Sequence, residues 1–249
     1  MFIGIMTAAI LVKNSDINST DFSSGSDNES SCILNPISNI SRPSTIFWDD
    51  FSEENETIWI KSGYGGPQGT QFSPEFVSIS PISSTLNISS DLSSHRGGEY
   101  YTLNQYGYGR YWARIRTQNT IGTTMAFFLY RGPEPDEHHE IDIELVKDSA
   151  GTSAHFSTYI QRNQKSFIYL LPFDPGKEYH TYGFSWYPDR VAFYVDDCQV
   201  PVWTSYEYIP NKPTHLMFSN WVFKDLSNTQ NPVNEKNILY IDWVRIDNL

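Results

Sequence analysis

HTYGFSWYPDRVAFYVDDCQVPVW, residues 180–203, alternates large apolar residues with small or polar ones at a period of two. In an extended segment, alternate side chains share a face. One face of the first segment therefore carries four rings: His180, Tyr182, Phe184 and Trp186. PDR supplies a turn before VAFYV, and DD supplies another before CQVPVW. The stretch predicts a meander of three antiparallel strands.

Similar short segments recur on both sides of this meander, separated by Gly, Pro, Asn and Asp. They are YGRYWARIR, TTMAFFLY, AHFSTYI, THLMFSNW and ILYIDWVRI. No stretch shows the period of a long amphipathic helix, and no repeat of fixed length argues for a propeller or solenoid. We predict an all-β fold, a sandwich or jelly roll.

The N-terminal part of the chain differs in composition from the rest. The apolar run MFIGIMTAAILV, residues 1–12, is too short to span a bilayer as a helix. It has the length of the hydrophobic region of a signal peptide, although no Lys or Arg precedes it. We interpret it as a secretory signal, the alternative being a disordered or docking tail. Residues 13–44 are rich in Ser, Asn and Asp and predict a linker, so the folded domain should be 45–249.

Charge limits the classes of partner. The formal net charge is −12, with 17 basic against 29 acidic residues and no basic cluster, which argues against nucleic acid or an anionic membrane surface. A neutral substrate fits better. Aromatic residues make up 15% of the chain, more than a core usually requires, so some should lie on a binding surface.

Two cysteines, Cys32 and Cys198, are too few for a disulfide framework or a cysteine zinc site. One bridge could tie the tail to the domain. We expect two free thiols instead.

The stretch HHEIDIELV, residues 138–146, places three acidic residues at alternate positions. On a strand, Glu140, Asp142 and Glu144 share one face with His138, while the isoleucines between them face the core. Neighbouring like charges are unfavourable, so a plain solvent-exposed acidic strand explains the row poorly.

The spacing of the row indicates acid–base chemistry. The Cα atoms of Glu140 and Glu144 should lie about 13 Å apart, and two side chains leaning together leave the carboxyl groups about 5–6 Å apart. This is too wide for one shared metal ion, but it matches the roughly 5–5.5 Å of a retaining glycosidase. Asp142, between them, can share a proton with a neighbour. A metal-dependent hydrolase using His138, His139 and Glu140 is less favoured, because adjacent strand residues face opposite sides.

The motif EIDIE resembles the catalytic strand of the family 16 glycoside hydrolases. The resemblance extends from FWDDF through GEYYTLNQYGYGRYWARIR, AFFLYRGP, YHTYGFSWYPDRVAFYVDD and FSNW to YIDWVRI, in order. It implies a concanavalin A-like β-jelly roll of two antiparallel sheets with a concave substrate cleft. It also implies that Glu140 is the nucleophile, Asp142 an auxiliary residue and Glu144 the acid/base. The uninterrupted EIDIE is similar to the lichenase-type branch, which lacks a bulge residue found in many laminarinases.

The same resemblance implies further site residues. As substrate-binding residues it indicates Glu99, Tyr100, His138, Tyr159 and Trp221. His138 stands where lichenases have Trp, and PDEHHEID is similar instead to depolymerases of acidic exopolysaccharides. Asp242 lies where relatives bind calcium on the convex side, which implies at most a structural ion.

Together these observations predict a secreted, monomeric, retaining endo-β-glycanase. Its substrate would be a β-1,3/1,4-linked glucan or a related exopolysaccharide, with no required cofactor, no nucleic-acid partner and no membrane span. The alternative from another class is a non-catalytic carbohydrate-binding jelly-roll module, since a fold alone does not establish activity.

Overall fold

A computed structural model describes residues 44–118, 120–134, 136–196, 198–223 and 237–249. The predicted signal and all of the predicted linker except Ser44 lie outside these ranges. The described residues form the strands β1 Thr45–Asp49, β2 Trp59–Lys61, β3 Gln71–Phe72, β4 Val77–Ser80, β5 Thr85–Asp91, β6 Arg96–Tyr106, β7 Gly109–Gln118, β8 Thr123–Arg131, β9 His139–Asp148, β10 Gly151–Ile160, β11 Asn163–Leu170, β12 His180–Trp186, β13 Val191–Val195, β14 Cys198–Trp203, β15 Thr214–Val222 and β16 Asn237–Asp247.

The helical elements within the described ranges are short 3₁₀ turns at Pro67–Gly69, Pro74–Phe76 and Tyr206–Tyr208. None of them is long and apolar enough to cross a membrane.

The strands form two faces of a sandwich. The front sheet has the order β11-β10-β9-β8-β15-β6, with β2 also paired to β6. The back sheet has the order β5-β16-β7-β12-β13-β14, with β4 on β5 and β1 on β16. The two sheets are joined where the end of β5 pairs with the start of β6, at Ser90–Gly97 and Asp91–Arg96. The predicted all-β sandwich is confirmed, and the strand pairings among the described residues are antiparallel except that of the two-residue β3, which runs parallel to β6.

The meander predicted from residues 180–203 is β12, β13 and β14 of the back sheet, paired in that order. Tyr182, Phe184 and Trp186 are buried, so the period of two placed the apolar face correctly. The indole nitrogen of Trp186 donates a hydrogen bond to the carbonyl of Pro210 at 2.7 Å. This bond satisfies the one polar atom of a ring that is otherwise buried among apolar side chains.

Stacked aromatic rings connect the two sheets through the core. Phe184 of the back sheet stacks on Tyr111 with ring centroids 5.0 Å apart, and meets Phe127 of the front sheet at 5.5 Å. Phe127 in turn stacks on Phe218 at 5.3 Å. Phe184 therefore contacts aromatic rings of both sheets within the core.

We expect Phe184→Ala to lower the free energy of unfolding by about 3–5 kcal/mol, because it removes a fully buried ring and leaves a cavity between the sheets. Urea unfolding followed by tryptophan fluorescence measures the change. Phe167→Ala is the matched control, since this phenylalanine of the edge strand β11 is 44% exposed. A loss at Phe184 no larger than that at Phe167 would contradict this role.

Cys198, at the start of β14, is disulfide-bonded, so the expectation of a free thiol at this position is wrong. The sequence contains one other cysteine, Cys32, which lies outside the described residues. Period and composition gave no signal for the bond, because a disulfide depends on where two distant segments meet.

Candidate active site

The acidic row lies on β9, inside the front sheet. β9 pairs with β8 on one side and β10 on the other, and neither pairing has a register shift. The expected absence of a bulge is thus confirmed. Ile141, Ile143 and Leu145 are buried in the core between the sheets, so the alternate positions face outward.

Glu140, Asp142 and Glu144 line one pocket on the outer face of the front sheet. The other lining residues are Pro67, Glu99, Ala126, Phe128, Ser219 and Trp221. A second apolar cluster, formed by Ala126, Phe128 and Met217, lies on this outer face. Apolar side chains of this cluster therefore lie next to the carboxyl groups and limit their contact with water.

The buried position of the row raises the pKa of two of its carboxyl groups, those of Asp142 and Glu144. Burial raises the pKa of Glu144 to about 7, and the charge of Glu140 adds to the effect. The pKa of Asp142 is raised well above its ordinary value, first by burial, then by the charges of Glu140 and Glu144 and by a hydrogen bond to Glu140. Near neutral pH the row therefore holds protons that separate carboxyl groups in water would have lost.

Glu99 is a fourth carboxyl group in the pocket. It is 0% exposed, and its Oε1 accepts hydrogen bonds from Ser62 Oγ at 2.6 Å and from the Tyr64 hydroxyl at 2.7 Å. Burial raises its pKa to about 7, although these two hydrogen bonds act in the opposite direction. Its Oε2 is buried and has no hydrogen-bond partner among the described residues.

His138 precedes β9 and lies beside the first carboxyl group of the row. Its Nε2 is 2.5 Å from Oε2 of Glu140. Its ring stacks on Tyr159 of β10 with centroids 5.2 Å apart. The Tyr159 hydroxyl accepts a hydrogen bond from Gln164 at 2.6 Å. Both residues are therefore on the predicted side of the sheet, next to Glu140.

Trp221 of β15 lines the pocket, but it is 3% exposed and packs against Phe223 at 4.8 Å. The structure brings it to the carboxyl groups, as the sequence suggested. With 3% of its surface exposed, it offers little area for a sugar ring to stack on.

The structure contradicts the predicted substrate-binding role of Tyr100. It is 1% exposed and stacks on Trp59 at 4.9 Å within the core between the sheets. Its neighbour Glu99 faces the pocket, and adjacent strand residues face opposite sides, so Tyr100 cannot contact a substrate there. Tyr101, two positions after Glu99, packs against the outer apolar cluster instead. The period of two could have identified Tyr101 from the sequence.

The metal-hydrolase interpretation is not supported. His139 is 2% exposed and lies on the opposite face of β9 from the acidic row. Burial, followed by the charges of Lys212 and Arg131, lowers its pKa to about 4. In the described part of the chain, no group of three or more His, Cys, Asp or Glu residues is arranged to hold a metal ion.

Asp242, the predicted calcium ligand, lies on β16 of the back sheet. Its Oδ2 is 2.5 Å from a guanidinium nitrogen of Arg114, which itself lies over the ring of Tyr179. Binding of a structural calcium ion at Asp242 stays a prediction, and such an ion would compete with Arg114 for this carboxylate.

Sequence reasoning missed several residues of the site. Ser62 and Tyr64, which bind Glu99, lie far from the acidic motif in the chain and carry no motif of their own. Phe128 and Ser219 were detectable in principle, because each shares a strand face with a pocket residue. The sequence predicted the strands that contain Phe128 and Ser219, but it did not indicate which face of each strand would lie toward the pocket.

Comparison with known proteins identifies a matching family and several similar proteins. Residues 70–245 match the model of the glycosyl hydrolases family 16. A β-glucanase of Paenibacillus polymyxa is 30% identical over 217 residues, which cover 80% of this chain and 87% of that protein. A β-glucanase of Acetivibrio thermocellus is 31% identical over 187 residues, or 71% of this chain, and the match spans 54% of that protein, about half its length.

Among solved structures, a prokaryotic β-1,3-1,4-glucanase (lichenase) derived from a mouse hindgut metagenome superposes with a TM-score of 0.70 and 28% identity. The match covers 82% of this chain and 99% of that one. The fold is thus shared along most of this chain.

Proposed function

Because the chain belongs to glycosyl hydrolase family 16, we propose that it is an endo-β-glucanase that hydrolyses β-1,3-1,4-linked glucan with retention of configuration. The observation that carries the proposal is the row on β9: three carboxyl groups line one pocket, and the pKa of Glu144 is raised to about 7. Glu144, at one end of the row, can then hold the proton that the departing oxygen needs, while Glu140, at the other end, supplies the attacking oxygen.

In the first half of the reaction, an oxygen of Glu140 attacks the anomeric carbon and forms a glycosyl ester. The glycosidic C–O bond breaks, and Glu144 gives its proton to the departing oxygen. Asp142, protonated and hydrogen-bonded to Glu140, helps to orient the nucleophile. No net charge develops on the leaving sugar.

In the second half, water attacks the anomeric carbon, the ester bond breaks and Glu144 accepts the proton of the water. The charge of Glu140 is one cause of the raised pKa of Glu144. That charge is absent while Glu140 is esterified, so the pKa of Glu144 falls when it must act as a base. The second displacement restores the β-configuration.

The substrate class follows from the pocket and from the relatives. The pocket combines carboxyl groups with Phe128 and Trp221 and has no basic residue among its lining residues, which suits a neutral sugar chain. The two β-glucanases and the lichenase described above narrow the class to β-glucans. The groups that carry protons and form the ester all belong to the chain, so the proposal requires no cofactor.

We place the enzyme outside the cell, acting as a monomer without a nucleic-acid partner. The disulfide at Cys198 supports this location, because such bonds persist in oxidising compartments. The net charge of −12 disfavours binding to nucleic acid.

Digestion of a panel of polysaccharides tests the proposal. Mixed-linkage β-glucan, β-1,3-glucan, cellulose and an acidic exopolysaccharide are incubated with the protein, and products are identified by mass spectrometry. We expect short oligosaccharides of defined length from mixed-linkage glucan. Binding to the glucan without any product would establish the carbohydrate-binding module instead.

We expect kcat/KM for the glucan to fall as pH rises through about 7, because burial and the charge of Glu140 raise the pKa of Glu144 to about 7 and only its protonated form can act as the acid. The measurement is kcat/KM from pH 4 to 9. A dinitrophenyl β-glycoside, whose leaving group needs no proton, is the control and should lose less activity across this limb. A glucan profile that rises from pH 6 to 8 would contradict the assignment.

A further inference from the structure

The ring of His138 is fixed from several directions. It lies between Tyr159, at 5.2 Å, and Tyr130 of β8, at 5.6 Å. The backbone carbonyl of His138 accepts a hydrogen bond from the backbone N–H of Gln161 at 2.7 Å. Its side chain is only 16% exposed. The ring therefore has little freedom to leave Glu140.

The loop before β9 is held by ion pairs. Glu137 accepts hydrogen bonds from Lys212 at 2.8 Å and from Arg131 at 3.1 Å. Arg131 also donates to Gln105 at 3.1 Å. These contacts connect the segment just before His138 to β6, β8 and the segment before β15. They therefore help to fix the position of the imidazole.

The groups around the imidazole favour its charged form. Glu140 faces it from β9, Tyr130 from β8 and Tyr159 from β10, and the loop carboxylate of Glu137 is already paired. Burial lowers the pKa of His138, but the hydrogen bond and charge of Glu140, together with a backbone hydrogen bond involving Gln161, raise it, so the net direction is upward. The proton on Nε2 then points at Oε2 of Glu140.

We propose that His138 is a positioning residue for Glu140, which holds Oε2 through a charged hydrogen bond, leaves Oε1 for attack and speeds breakdown of the glycosyl ester. This inference rests on the proposed function, because it assumes that Glu140 is the nucleophile. It extends the role implied by the sequence, where His138 stood only as a substrate-binding residue.

The two half-reactions should depend on His138 differently. When Glu140 attacks, its charge disappears into the ester and the attraction to the imidazolium is lost. When the ester breaks, the carboxylate reappears, and the imidazolium stabilises the charge that develops in that transition state. The proton on Nε2 stays on His138 throughout. Removing the imidazolium therefore slows the second half more than the first.

The test uses His138→Gln, which removes the charge, and His138→Phe, which keeps a ring between the two tyrosines. With a 2,4-dinitrophenyl β-glycoside of a short glucan, we expect kcat to fall about tenfold or more in both variants. KM should fall with it, kcat/KM should stay within about threefold, and a burst of dinitrophenolate should precede the steady state. The matched control is His180→Gln on the back sheet, where Nδ1 of His180 pairs with Asp196 at 2.9 Å, and it should behave as wild type.

The outcomes separate this inference from the proposed function. If wild type releases no dinitrophenolate, both fail. If wild type turns over and His138→Phe matches it, ring packing is sufficient and the charged role is wrong. A raised KM with unchanged kcat would make His138 an ordinary binding residue and overturn the positioning role. A second readout needs no turnover: NMR titration of His138 should show a lower pKa in Glu140→Gln than in wild type, and an unchanged pKa would overturn the charged pair.

Discussion

Glu140→Ala is expected to abolish turnover of every glycoside, with kcat falling by about 10⁴-fold or more, because no glycosyl ester can form without the nucleophile. An activated leaving group should not restore activity, since the missing group is the attacking oxygen and not the acid. Release of dinitrophenolate and of glucan oligosaccharides are the two measurements.

The control for this variant is Glu178→Ala, an exposed glutamate between β11 and β12, which should keep wild-type kinetics. Circular dichroism and thermal unfolding must show that Glu140→Ala is folded. Turnover of either substrate above about one hundredth of the wild-type rate by the folded variant would remove Glu140 from the role of nucleophile.

Glu144→Ala should separate the two substrates. Glucan hydrolysis should fall by about 10²–10⁴-fold, because the departing sugar oxygen receives no proton. A dinitrophenyl glycoside should still form the ester at Glu140, since its leaving group departs without help. Release of sugar should then be slow, because no base activates water.

Azide provides the decisive measurement on Glu144→Ala. Azide needs no base and meets no negative charge at position 144, so it should increase the turnover of the dinitrophenyl glycoside and yield a β-glycosyl azide. Wild type should give no such product. An α-glycosyl azide, or a wild-type hydrolysis product that first appears inverted by NMR, would show that the roles along β9 are misassigned.

Much of the fold follows from local patterns. The meander of residues 180–203 and the row of EIDIE both have a buried apolar face, and a period of two is sufficient to place such strands. β5 and β11 were harder to identify. β5 has the polar Ser90 on its buried face, and β11 is an edge strand with exposed Ile168 and Leu170, so neither shows a clean alternation of apolar and polar residues.

The part of the site that lies on the single strand β9 could be predicted from the sequence. Glu140, Asp142 and Glu144 are separated by single residues, so their shared face needed no knowledge of tertiary structure. The contacts of Glu99 with Ser62 and Tyr64 depend on strand pairing across 35 residues or more, which no local pattern reveals. Tyr100 was misplaced because it directly follows Glu99 on β6, and adjacent strand residues face opposite sides of the sheet.

The unbroken register of β9 has a consequence for how this gene can vary. β9 is hydrogen-bonded on both sides, and a one-residue insertion or deletion within it would turn every following side chain to the opposite face. Such a change between Glu140 and Glu144 would bury one carboxyl group in the core and expose isoleucine in the pocket. Length changes compatible with catalysis should therefore accumulate in the connections around β9, unless a bulge absorbs the extra residue.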